Sequence, residues 1–115
     1  MPVIHTHAST TISREQREEL KTMYGQAITA VPGKSEGWLM CPFEDNMPIY
    51  FGGDDAKPAA YVEVNVFGDS VPRENWEELT RRISEALDKV LGIPSNRVYI
   101  RETATTNWGW SGRNF

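Results

Sequence analysis

Apolar and polar residues alternate from Val3 to Ala8 (VIHTHA), which predicts a short strand at the start of the chain. The period then changes. Leu20, Met23, Tyr24, Ala27, Ile28 and Val31 recur at helical spacing, and Ser13 with Gln16 three residues on matches a capping box, so a helix is expected to begin just after Ser13. Pro32-Gly33 should end it, while Gly25 weakens its middle by about 1 kcal/mol relative to alanine. Trp38 to Phe43 (WLMCPF) predicts a second strand, at an edge or bend because of Pro42, and MPIYFGG a short strand running into a glycine turn. Ala59 to Phe67 (AAYVEVNVF) is the clearest strand, with Val62, Val64 and Val66 alternating against Tyr61, Glu63, Asn65 and Phe67. Trp76, Leu79, Ile83, Ala86, Leu87 and Val90 form a second helical stripe, with Ser70 or Asp69 as its cap, Pro72 in its first turn and Gly92 at its end. Glu77–Arg81, Glu78–Arg82 and Glu85–Lys89 are spaced as ion pairs on its solvated face. A last strand is expected over Arg97 to Glu102.

Two halves emerge, each running strand, helix, glycine-containing stop, strand. Right-handed crossovers place both helices on one side of a four-stranded sheet, so the expected fold is α+β, a duplicated β-α-β unit forming a single domain over residues 1–115. Tyr61 and Phe67 give the second sheet face an apolar character that asks for cover. The tail, with Trp108, Trp110 and Phe115 among glycines, is expected to pack on a neighbouring copy, or alternatively to fold back over its own sheet.

Composition narrows the partners. The net charge of −4 lacks the basic field of a nucleic-acid or anionic-membrane binder, and neither partner is expected. Cys41 is the single cysteine, so no intrachain disulfide or redox pair can form, and it reads as an inert buried thiol. No signal sequence or membrane-length apolar run is visible, which makes the cytoplasm the expected location. Gly52-Gly53 lacks the following Lys-Ser/Thr of a phosphate cradle and reads as a turn. His5 and His7 share a strand face and could ligate a metal, but the sequence offers no evident third ligand, so no metal is expected.

Pro2 is the one position with unusual chemistry. A proline has no N–H for a ladder and is tolerated only at the first residue of a strand. Removal of Met1 would instead make it a free secondary amine.

Pro2, Gly33-Lys34, Phe51-Gly52-Gly53, Arg97-Val98-Tyr99-Ile100 and the closing Trp110 and Phe115 together resemble, over nearly the whole chain, the macrophage migration inhibitory factor and D-dopachrome tautomerase branch of the tautomerase superfamily. The resemblance implies a homotrimer with enclosed sheets and three active sites at subunit interfaces, and no cofactor. It implies Pro2 as the general base of keto–enol tautomerisation, Lys34 beside it, Tyr99 entering from the adjacent subunit, and Trp38, Phe67, Trp108, Trp110 and Phe115 lining the pocket. A free α-amino group titrates near ~8, and burial and a neighbouring cation both lower that value, which suits a base working at neutral pH.

The small-molecule substrate implied is an aromatic α-keto acid such as phenylpyruvate, or a dopachrome-like compound. The chain departs from the family pattern in three places. Arg101 replaces an asparagine of one branch and matches an arginine of the other, and could grip a carboxylate bidentately. The family's Cys-x-x-Cys is absent, which removes any thiol-oxidoreductase role. Trp108 is bulkier than the usual valine and narrows the pocket. Two other readings stand beside the tautomerase: a cytokine-like trimer that binds a receptor or other protein partner and leaves cells without a signal peptide, and a hydratase or dehalogenase acting on unsaturated acids with Pro2 as a general acid.

Overall fold

A computed structural model describes every residue from Met1 to Phe115. Strand β1 (Pro2–Ala8) leads into helix α1 (Arg14–Ala27), a 3-10 turn at Ile28–Ala30 and a second at Glu36–Trp38, and then β2 (Phe43–Glu44). The second half repeats the order with β3 (Ala60–Phe67), α2 (Arg73–Leu91), a 3-10 turn at Ser95–Arg97 and β4 (Val98–Thr105). A small hairpin, β5 (Gly109–Trp110) and β6 (Arg113–Asn114), closes the chain. The sheet order is β2-β1-β3-β4; β1–β2 and β3–β4 are parallel, and β1–β3 is antiparallel. Each β-α-β half thus supplies a parallel pair, and the halves meet at the centre of the sheet.

Both helices cover one face. Ile4, Thr6 and Ala8 of β1 and Ala60, Val62, Val64 and Val66 of β3 are buried beneath Leu20, Tyr24 and Ile28 from the first half and Leu79, Ile83 and Leu87 from the second. Each fully buried Leu, Ile or Val contributes about 1.5–3 kcal/mol by leaving water. The core holds one polar pair: Thr6 Oγ1 lies 2.8 Å from the Tyr24 hydroxyl, and both residues are fully buried. Burial pushes the Tyr24 phenol well above its usual range. Helix α1 begins with the anticipated capping box between Ser13 and Gln16. Gly25 is buried where α1 passes the exposed Glu36, whose flexible side chain lies over it.

Several expected elements differ. The segment expected as a strand over 38–43 pairs with β1 only in part: Met40 bridges Val3 and the Pro42 carbonyl accepts from Thr6 N–H at 3.1 Å, but the regular ladder is confined to Phe43–Glu44, because Pro42 has no N–H to give. MPIYFGG forms no strand; Phe51 and Asp54 pair across a turn at Gly52 and Gly53, both at positive φ. Pro72 itself occupies the cap of α2, so neither Ser70 nor Asp69 does, whereas Gly92 ends that helix at φ 67° as expected. On the helix surface, Glu78–Arg82 forms, but Arg81 pairs with Glu78 and Glu85, and Glu77 with Arg73. Arg97 precedes β4 rather than opening it; it is buried and donates to the carbonyls of Asp54, Lys57 and Pro58, which ties down the loop before β3.

The second sheet face is more polar than the sequence reading had it. Between Tyr61 and Phe67 at the two ends of β3 it carries His5, His7, Glu63, Asn65, Arg101 and Thr103. Within the chain, the tail sets Trp110 edge-on to Trp38 and Phe115 edge-on to Phe67, while Trp110 and Phe115 stay about half exposed.

Tyr24→Phe strands the Thr6 hydroxyl in the core and is expected to cost about 1–3 kcal/mol in chemical denaturation. Tyr50→Phe, at a site 69% exposed, should leave the midpoint unchanged.

Candidate active site

The beginning of the chain is held in place by backbone on both sides. The Pro2 carbonyl accepts from Met40 N–H at 3.0 Å, and the Met1 carbonyl accepts from Phe67 N–H at 3.0 Å. Pro2 is buried and Met1 half-buried. The left-handed turn at Gly33, φ 76°, follows Val31-Pro32 and sends Lys34 back toward this end of the sheet. The Lys34 ammonium donates to the Phe67 carbonyl at 2.6 Å and lies 5.7 Å from the centre of the Phe67 ring. Phe67 therefore ties down both the chain start, through its N–H, and the lysine, through its carbonyl.

Electrostatics follow from this arrangement. The N-terminal amine on Met1 is held below its ordinary value, first by burial and then by the Lys34 ammonium beside it. A neutral amine is the form that can accept a proton.

Aromatic rings enclose the space around it. Met1, Gly33, Trp38, Phe67 and Phe115 line a cavity of about 370 Å³. A second cleft of about 420 Å³ reaches from Met1, Pro2 and Val3 to Trp108 and Trp110, with Trp38 and Met1 common to both. The Trp38 and Trp110 rings meet at 5.3 Å and 88°, and Phe67 and Phe115 at 5.5 Å and 62°, edge-to-face geometries that hold the walls in place. Trp38, Trp110 and Phe115 remain about half exposed, so the cleft is open on one side.

Seven of the expected site residues therefore converge: Pro2, Lys34, Trp38, Phe67, Trp108, Trp110 and Phe115. Tyr99 and Arg101 do not join them within one chain. Pro2 pairs with Val66, which is beside Ala104, whereas Tyr99 pairs with Tyr61, five residues along β3 and about 16 Å away at strand rise. Tyr99 is exposed and contacts Phe51, and Arg101 stands beside Glu63 and Asn65 in mid-sheet.

Sequence patterns had not singled out Met1 and Gly33 as cavity lining, nor the peptide groups of Phe67; main-chain donors leave no residue-type signal. The cavity walls offer no carboxylate, imidazole or thiol for a metal. Burial pushes the Cys41 thiol up to about 11, in keeping with an unreactive side chain.

Comparison with known proteins gives the class and then the family. The family model described as tautomerase enzyme matches residues 61–115. MIF2 from Leishmania major is 36% identical, with a TM-score of 0.91 over 100% of this chain and 97% of that one. The macrophage migration inhibitory factor homologue of Prochlorococcus marinus is 26% identical, with a TM-score of 0.84 over 98% of each chain. The factor from Toxoplasma gondii, at 20% identity and TM-score 0.85 over 98% of this chain and 99% of that one, shares the fold. No curated protein matches in sequence. The duplicated β-α-β sheet is that of the tautomerase superfamily. Within it, the chain belongs to the macrophage migration inhibitory factor family.

Replacing Lys34 removes a charge that opposes protonation of the neighbouring amine. In Lys34→Met, the pH at which the N-terminus becomes reactive toward an acylating reagent is expected to move upward, read by peptide mass after timed labelling.

Proposed function

We propose that the protein is a cofactor-independent keto–enol tautomerase of aromatic α-keto acids, phenylpyruvate in type, or of dopachrome-like compounds, and that Pro2, freed by removal of Met1, is its base. The observation that carries the reading is the junction of the chain start, Lys34 and the Phe67 peptide at the mouth of an aromatic cavity. Pro2 is more deeply buried than Met1, so the desolvation and the lysine charge that lower the Met1 amine act on a Pro2 amine in the same direction.

The neutral Pro2 amine accepts a proton from the carbon or enol oxygen next to the carbonyl, and the resulting ammonium returns it to the other end of the enolate. The Lys34 ammonium neutralises the substrate carboxylate or the oxygen on which charge develops. Departure of Met1 also frees the Phe67 N–H, which then points into the space beside Pro2 as a second donor. The cavity, at about 370 Å³, is of the size that holds a small molecule, and its rings suit a phenyl group. Tyr99 and Arg101 complete the site from an adjacent copy in a trimer, Tyr99 donating to the enolate oxygen and Arg101 gripping the carboxylate. Their exposure on the uncovered sheet face supports this placement.

Phenylpyruvate ketonisation tests the proposal. Pro2→Gly should lower kcat/KM by about 100-fold or more, the contribution of a general base, while the folded oligomer persists. Lys34→Ala should lower kcat/KM and move the pH at which the rate rises upward, because the charge that holds the amine neutral and faces the substrate oxygens is lost. The rate should fall as pH drops through the lowered amine value, because protonation removes the base. A rate that survives in Pro2→Gly would rule out the amine mechanism. Light scattering should give three chains per particle, and Tyr99→Phe should lower kcat without changing that mass; a monomer with full activity would contradict the shared site.

A further inference from the structure

The polar sheet face holds a second constellation, remote from the end cavity. His5 and His7 project from β1, and β2 sets Glu44 directly beside His7 in the parallel register His7↔Glu44. The His5 and His7 Nε2 atoms lie 2.7 and 3.2 Å from the same carboxylate oxygen, Glu44 Oε2. The imidazole centroids are 4.1 Å apart, and the three potential donor atoms all lie within 4.8 Å of one another.

The orientation of His7 is a second observation at this cluster. His7 Nδ1 lies 2.9 Å from the Tyr61 carbonyl oxygen. A carbonyl only accepts, so Nδ1 carries a hydrogen, and Nε2 is the ring nitrogen turned toward the carboxylate. The Nδ1–H to backbone carbonyl bond is also the second-shell contact that orients a metal-ligating histidine and fixes its tautomer. His7 is further held by stacking on Tyr61 at 5.5 Å and 21°, and its side chain is only 13% exposed.

We propose that His5 Nε2, His7 Nε2 and the Glu44 carboxylate bind a divalent first-row transition-metal ion, zinc in type, with a water in the fourth position. Two imidazoles and a carboxylate are a donor set that zinc accepts at bond lengths of about 2.0–2.1 Å. Tetrahedral ligands at those lengths are about 3.3 Å apart, which small rotations of these three side chains supply. The ion would staple β2, a two-residue edge strand, to the central strand β1. Nothing in this site overlaps the cavity residues, so the inference does not rest on the proposed tautomerase reaction.

Titration of the tag-free, metal-stripped protein with Zn²⁺ in a calorimeter tests it, with Co²⁺ as a spectroscopic probe. One ion should bind per chain, raise the thermal midpoint, and give the intense visible absorption of a low-coordinate Co²⁺ site. Loss of an outer partner alone weakens metal sites by about 10–100-fold, so Glu44→Gln and His7→Gln should weaken binding by about 100-fold or more. Glu63→Gln, which removes the carboxylate facing His5 across the β1–β3 pair, should leave the affinity unchanged. Circular dichroism of the metal-free variants separates loss of a ligand from loss of the fold; Glu44 is exposed at the sheet edge, and its amide replacement keeps the shape. Absence of saturable binding, retention of full affinity in the His5→Gln/His7→Gln double variant, or one ion shared among several chains would each overturn the site.

Discussion

Everything at the end cavity depends on β1 being an interior strand. A chain terminus ordinarily frays, because few contacts hold it. Here Pro2 is buried and its carbonyl accepts from Met40 N–H, an anchor that does not depend on Met1, while Val3 onward pairs with β3; Phe67 N–H adds a second bond to the Met1 carbonyl as long as Met1 is present. A proline fits because the ladder is satisfied through carbonyls at this position and asks nothing of the missing N–H. The result is a chain start fixed against a lysine and a wall of rings, with the desolvation that keeps an amine neutral.

Duplication supplies the rest of the frame. Each β-α-β half hides one sheet face under a helix, and the antiparallel β1–β3 seam joins them across a shared valine and isoleucine core. Because side chains alternate along a strand, the same register that buries Ile4, Thr6, Val62 and Val64 presents His5, His7, Glu63 and Asn65 on the opposite side. That face is polar and exposed; it carries the histidine–carboxylate cluster, and with it Tyr99 and Arg101, the two residues that the proposed trimer would bring to a neighbour's site.

What could be seen in the sequence was what local rules decide. The capping box at Ser13–Gln16, the two buried stripes, the left-handed Gly92 and the alternation of β3 all depend on residues within a few positions of each other. Residues 38–44 eluded that reading because their pairing with β1 is non-local and Pro42 breaks the ladder that an apolar run suggests. Glu44 could not be matched to His5 and His7 for the same reason, since only the parallel crossover brings position 44 beside position 7. Of the residues that the family resemblance assigned to the site, those at the cavity converge in one chain, whereas the register separates Tyr99 and Arg101 from it by several rungs.

The central claim is that the amine of Pro2, and not a side chain, performs the proton transfer. Its most direct test compares phenylpyruvate ketonisation by two preparations of the same chain, one retaining Met1 and one from which an aminopeptidase has removed it, each defined by intact mass. The account predicts that activity appears in proportion to the fraction of chains beginning at Pro2, since retention of Met1 converts the amine to an amide with no basicity. Equal rates in the two preparations would contradict it and place the base elsewhere in the cavity.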